Sequence, residues 1–190
     1  MTSIQLFWLI LGSTWAGVEI AIAVKTRALL TPTSALEYRS ERFIWLVVAL
    51  ALLLALWLKQ QHLVPLPFAP VSRQLCAMVV FSAGLSLRFA AVFTLGSFFS
   101  TSVITQDHHV LVENGPYRWI RHPAYTGLLG CFLAAGVAMG DGLALLSLIG
   151  PIAYVLKQRM QVEEQCLQQH FGQAYAAYCR RTRKLLPGIY

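Results

Sequence analysis

Apolar residues come in long runs along this chain, not at the three-to-four-residue spacing of a half-buried helix or the alternation of a strand. Residues 4–23 form one run, broken by Glu19; residues 43–58 form a second without a charge; residues 74–95 form a third whose only charge is Arg88. Two more, 124–140 and 142–156, are separated by Asp141 with Gly140 and Gly142 beside it. A helix rises about 1.5 Å per residue and the hydrocarbon core of a bilayer is about 30 Å thick, so runs of this length predict membrane-crossing helices. The expected fold is an all-α integral membrane protein of about five transmembrane helices, the last two joined as a tight hairpin. The first run has neither a basic start nor a small-residue cleavage site, so it reads as a helix and not as a signal peptide. Glu19 is costly to place in lipid and is expected to face the bundle, paired or protonated.

Composition agrees with the pattern: 57% of the 190 residues are hydrophobic and 12% charged, with a formal net charge of +7. An excess of this size can signal nucleic acid, but no basic stretch with interleaved aromatics stands apart from the membrane flanks, which excludes that partner. The charges follow the loops instead. Lys25, Arg27, Arg39 and Arg42 lie between the first two runs, and Lys59 and Arg73 between the next two. Arg118 and Arg121 follow the third run, the turn at Asp141 has none, and Lys157, Arg159, Arg180, Arg181, Arg183 and Lys184 follow the fifth. By the excess of Lys and Arg in cytosolic loops, this places the N-terminus outside and the C-terminus in the cytosol. Cys76, Cys131, Cys166 and Cys179 fall at unrelated spacings, so neither a disulfide framework nor a metal site is expected.

Polar chemistry concentrates in two segments, one on each side of the hairpin: residues 108–125 and residues 159–178. Asn114-Gly115-Pro116 is a turn signal. His122-Pro123 marks a helix start, since proline disfavours helix in the residue before it and suits the first turn after it. The free amides and positive dipole end of that helix would lie beside His122 and Tyr125, a setting for an anion such as a carboxylate. Arg159 and Glu163 are four residues apart and share a face if the fifth helix continues past Leu156. Spacing alone favours a surface ion pair worth about 0.3–0.5 kcal/mol, and their place where the helix leaves the membrane raises the reading as functional groups. His122 taken alone fits a hydrogen-bonded structural residue, Arg121 a headgroup anchor or a ligand group, and Tyr117 and Tyr125 interfacial aromatics, as do Trp45, Trp57 and Trp119.

Together, His109-Val110-Leu111-Val112, Gly115-Pro116-Tyr117, Arg121-His122-Pro123-Ala124-Tyr125 and Glu163-Glu164 with Phe171-Gly172 and Tyr175 to Tyr178 closely resemble the isoprenylcysteine carboxyl methyltransferase family, in its compact prokaryotic form. The resemblance covers about residues 96–187. It implies one integrated molecule, with three membrane helices in residues 1–95 and, in residues 96–190, a methyltransferase core with two more and a cytosolic pocket for S-adenosylmethionine. It further implies that His109, Val110, Leu111, Val112, Tyr117, His122, Pro123, Ala124, Tyr125 and Glu163 contact that cofactor. Arg159 matches the family arginine that faces the substrate, so Arg159 and Glu163 would be the catalytic pair. The implied substrate is a lipid-like acid of the isoprenylcysteine kind, entering from the bilayer of a prokaryotic plasma membrane, with membrane lipids as the other partners. An amine headgroup as in related phospholipid methyltransferases, a sterol-type reductase using a nicotinamide dinucleotide, and a membrane interaction protein without enzymatic activity are the alternatives.

Overall fold

The computed structural model describes the backbone of residues 3–29, 35–96 and 111–188, and the side chains of residues 3–22, 43–96 and 111–188. Five long helices follow the apolar runs: α1 (Ser3–Leu29), α2 (Ala35–Gln61), α3 (Pro70–Leu95), α4 (Pro123–Met139) and α5 (Gly142–Phe171), with a short α6 (Gln173–Arg181) behind them. Stretches of α1, α2, α3 and α5 are long and apolar enough to cross a bilayer. The 17 residues of α4 span about 26 Å at 1.5 Å each, slightly under the hydrocarbon thickness, and the 30 residues of α5 span about 45 Å. The chain is a multi-pass membrane protein, and α5 is longer than the hydrocarbon core by about 15 Å.

Two seams hold the bundle. Ala144, Leu148, Ile152 and Leu156 recur every fourth residue along α5 and bury against Val48, Ala51 and Ala55 of α2 and Phe132 of α4. Between α3 and α4 the contact is made by absent side chains: a Cβ on Gly84 would lie 2.7 Å from the Gly127 carbonyl oxygen, and one on Gly127 2.7 Å from the Arg88 amide nitrogen. Without a hydrophobic drive inside lipid, backbones pack this closely through small residues. α1 lies outermost, and Trp8, Leu11 and Trp15 set one stripe of it against Phe81, Leu85 and neighbouring residues. Trp8 and Trp15 meet Phe81 edge-on, with ring centroids 5.5 and 5.8 Å apart. Trp45 and Trp57 remain exposed, as expected of aromatics that face lipid or its interface.

Asp141 forms the hairpin between α4 and α5. Its carboxylate accepts from the Ala144 amide at 3.0 Å, capping α5, and from the Val64 amide at 2.8 Å, tying in the loop after α2. Gly140 before it takes a left-handed φ of 80°, the conformation that ends a helix with least strain in glycine. At the other end of the molecule the chain after α6 turns back as a strap: Arg183 bridges Ile120, the Arg121 amide donates to the Arg183 carbonyl at 2.7 Å, and the His122 amide to the Lys184 carbonyl at 3.0 Å.

Candidate functional site

The site gathers where α4 begins and the polar half of α5 passes it. Because α5 does continue past Leu156, Arg159 and Glu163 share a face, and both turn inward: the Arg159 side chain is only 10% exposed. Its Nε donates to the Tyr125 hydroxyl at 3.0 Å and to Glu163 Oε1 at 3.2 Å, and the Tyr125 hydroxyl itself donates to Glu163 Oε1. His122 Nδ1 stands 3.6 Å from the second Glu163 oxygen. Tyr125, Arg159, Glu163 and His122 thus form one connected polar cluster, and an exposed surface pair is excluded for Arg159 and Glu163.

A second carboxylate backs the first. Glu164 Oε1 receives Arg121 Nε at 2.9 Å and lies 3.4 Å from His122 Nε2, while its Oε2 meets Lys184 Nζ at 2.7 Å. His122 therefore sits between the two glutamates, one at each ring nitrogen. Arg121 is turned inward. Its Nη1 donates to the carbonyls of Cys179 at 3.2 Å and Thr182 at 2.7 Å, so it locks the C-terminal strap to the start of α4. The strap is fastened again where Tyr178 donates to the Tyr117 carbonyl at 2.8 Å and Thr126 to the Leu185 carbonyl at 2.8 Å.

An apolar patch flanks the cluster. Gly115–Arg118 forms a single 3-10 turn, with Gly115 at a φ of 56° and its α-carbon packed on Thr94, where a Cβ would fall 2.8 Å from the hydroxyl. The turn buries Tyr117 against Ala91 and Ala124, with Val112 and Leu95 beside them. Burial pushes the Tyr117 and Tyr178 phenols well above their ordinary range, so both stay protonated. Tyr117 is 7% exposed and Tyr125 hydrogen-bonded inward, which sets both apart from Trp119, 62% exposed beside Arg118 as an interfacial aromatic would be. Leu111 is half-buried in the segment leading to the turn. His109 and Val110 lie outside the described residues.

α4 begins at Pro123, as His122-Pro123 indicated, but its open end is smaller than expected. The Tyr125 and Thr126 amides both donate to the His122 carbonyl, at 3.1 and 3.0 Å, and proline has no amide to offer. Only the Ala124 amide is left in the first turn, so this end offers an anion fewer backbone donors than expected. Two charged residues that the motifs did not include also belong here. Arg88 of α3 pairs with Glu19 of α1, its Nη2 donating to Oε2 at 2.7 Å, and its Nη1 donates to the Ala124 carbonyl at 3.2 Å. The only signal for them in the sequence is that each is a lone charge in an apolar run. Lys184 and Tyr178 carried no signal beyond their place in the basic tail and the closing tyrosine motif.

Known proteins resemble this chain in sequence and in fold. The sequence model of the isoprenylcysteine carboxyl methyltransferase (ICMT) family matches residues 75–169, half of the chain. The chain belongs to that family. The match starts in α3, earlier than the motifs alone reach, and stops before α6. The human protein-S-isoprenylcysteine O-methyltransferase is 36% identical over 114 residues, which is 59% of this chain and 39% of the human protein. The B form from Arabidopsis thaliana is 29% identical over 108 residues, 56% of this chain and 55% of that protein. A solved structure of the eukaryotic intramembrane Ras methyltransferase ICMT superposes with a TM-score of 0.62 at 24% identity, covering 76% of this chain and 52% of the other. The fold is that of this family, and the chain spans about four to six tenths of the length of these relatives.

Proposed function

We propose that the protein transfers a methyl group from S-adenosylmethionine to the carboxylate of a lipid-like acid of the isoprenylcysteine kind, reached from the bilayer. The observation that carries this reading is the Arg159, Tyr125 and Glu163 cluster, buried where a bundle of membrane helices opens to water. Names of relatives that methylate isoprenylcysteine support it.

The donor set suits the cofactor by its chemistry. Glu163 offers a carboxylate to a cation, His122 ring nitrogens to polar groups, and Tyr117, Val112 and Ala124 an apolar bed for a flat base. His109, Val110, Leu111 and Pro123 complete the proposed cofactor contacts. When bound, S-adenosylmethionine supplies an electrophilic methyl on a sulfonium sulfur. The protein then has only to hold an acid against it, since a carboxylate is nucleophilic in its ionised form and no proton needs to move. Arg159 is proposed to orient that carboxylate, as a planar guanidinium can by two parallel hydrogen bonds. Charge favours an acid over an amine. Arg121, Arg159 and Lys184 outnumber Glu163 and Glu164 by one, so these five groups leave one positive charge uncompensated.

Calorimetric titration of the detergent-purified protein with S-adenosylhomocysteine and with NADPH tests the reading. Binding of the first alone is expected. Binding of NADPH alone would replace methyl transfer with reduction, and binding of neither would leave a membrane interaction protein. Turnover of a farnesylated cysteine acid, compared with amine-headgroup lipids, then decides between O- and N-methylation.

A further inference from the structure

We propose that Glu19 is a positioning residue for the cofactor-binding end of α4, acting through Arg88; this rests on the cofactor reading above. Glu19 lies on the outermost helix, beyond the residues that match the family. It is nevertheless nearly buried: its side chain is 12% exposed and that of its partner Arg88 9%. Both Glu19 oxygens accept from the guanidinium, Oε1 from Nε and Oε2 from Nη2, and Trp15 Nε1 adds a third donor to Oε1 at 2.9 Å.

An ion pair is a poor anchor for a helix in lipid. Taking two charges out of water costs several kcal/mol, and an apolar pair of the same size commonly serves stability as well or better. α1 already has apolar attachments, with Trp8 and Trp15 on Phe81, and Trp8 Nε1 donating to Gln74 Oε1 at 2.7 Å. What an apolar pair would not provide is the third contact of Arg88, its donation from Nη1 to the Ala124 carbonyl. Ala124 lies in the first turn of α4, next to Tyr125, whose hydroxyl links Arg159 to Glu163. Gly127, one turn on, seats its α-carbon against the Arg88 backbone. Arg88 therefore holds the first turn of α4 from both backbone and side chain, and with two of its nitrogens bound by Glu19 the third is aimed at Ala124. The linkage runs from Glu19 through Arg88 and Ala124 to Tyr125.

The experiment compares Glu19→Gln, Glu19→Asp, Arg88→Gln and the apolar pair Glu19→Leu/Arg88→Met in detergent, by hydrogen exchange of the 125–128 amides, S-adenosylhomocysteine affinity and melting temperature. Glu19→Gln is expected to speed exchange at 125–128 and to weaken binding by about tenfold. Glu19→Asp should restore most of both, and Glu19→Gln should add nothing in an Arg88→Gln background. The apolar pair separates positioning from anchoring: it should melt near the wild-type temperature yet keep the fast exchange and weak binding. Wild-type exchange and affinity in the apolar pair would overturn the proposal, as would Glu19→Gln with unchanged exchange. A wild type that binds no S-adenosylhomocysteine would overturn the cofactor reading instead, while the exchange comparison would still decide whether Glu19 orders this turn.

Discussion

At the scale of single residues, Arg159 and Glu163 were readable as a pair from their spacing, and their burial was not. Helical periodicity puts two residues on one face without saying whether that face looks at water or at another helix. The deciding contact is Tyr125, 34 residues away from Arg159, and such a separation leaves no local pattern. The proposed roles give separable outcomes. Arg159→Ala should abolish methyl transfer while S-adenosylhomocysteine affinity changes by less than about threefold, and Glu163→Gln should lose affinity by about tenfold or more. Titration of both variants followed by turnover checks this. Retained turnover in Arg159→Ala would remove the substrate role, and unchanged affinity in Glu163→Gln the cofactor role. The partner of Glu19 was hidden for the same reason: its cost in lipid demanded a partner, but only the packing of α1 on α3 identifies Arg88.

At the scale of helices, hydropathy located all five and the His122-Pro123 pair placed the start of α4, because both depend on local composition and on backbone chemistry. It ended α5 at 156, where the apolar run ends, and the helix continues for four more turns because its polar residues have an inward face to bind. The α3–α4 seam also escaped the sequence, since a glycine in an apolar run reads the same whether it meets lipid or a backbone. Gly127→Ala should cost about 1–3 kcal/mol through overpacking against Gly84 and Arg88, whereas Gly150→Ala, with nothing within 4 Å of its new Cβ, should leave the melting temperature unchanged or raised. Equal melting of the two variants would contradict the seam. Asp141 gives the hairpin a pH signature. Hydrogen bonds from the Ala144 and Val64 amides lower its pKa below the usual 3.8, so its contribution is full above that value and disappears as pH falls through the folded pKa. Asp141→Ala should therefore melt below the wild type at neutral pH, and the gap should close as the pH is taken under about 4. A gap that persists in acid would mean that the carboxylate charge is not what stabilises the turn.

At the scale of the whole molecule, we propose five crossings with the basic loops inside, which would put the site on the cytosolic face, an orientation drawn from charge alone. Lys25, Arg27, Arg39 and Arg42, which carry much of that asymmetry, have no described side chains, so the test is topological: a reporter after Tyr190 should behave as cytosolic and one inserted between Asp141 and Gly142 as external. The same side for both would break the five-crossing scheme. The strap has a consequence for where this molecule can be divided. The family match ends at residue 169, yet Arg121, His122 and Thr126 are tied to the carbonyls of Cys179, Thr182, Lys184 and Leu185. A chain stopped at the family boundary would keep every residue proposed for chemistry and lose the backbone that holds His122 and its neighbours Arg121 and Thr126 in register. The smallest portable unit of this fold, for grafting or for exchange between relatives, extends to Leu185.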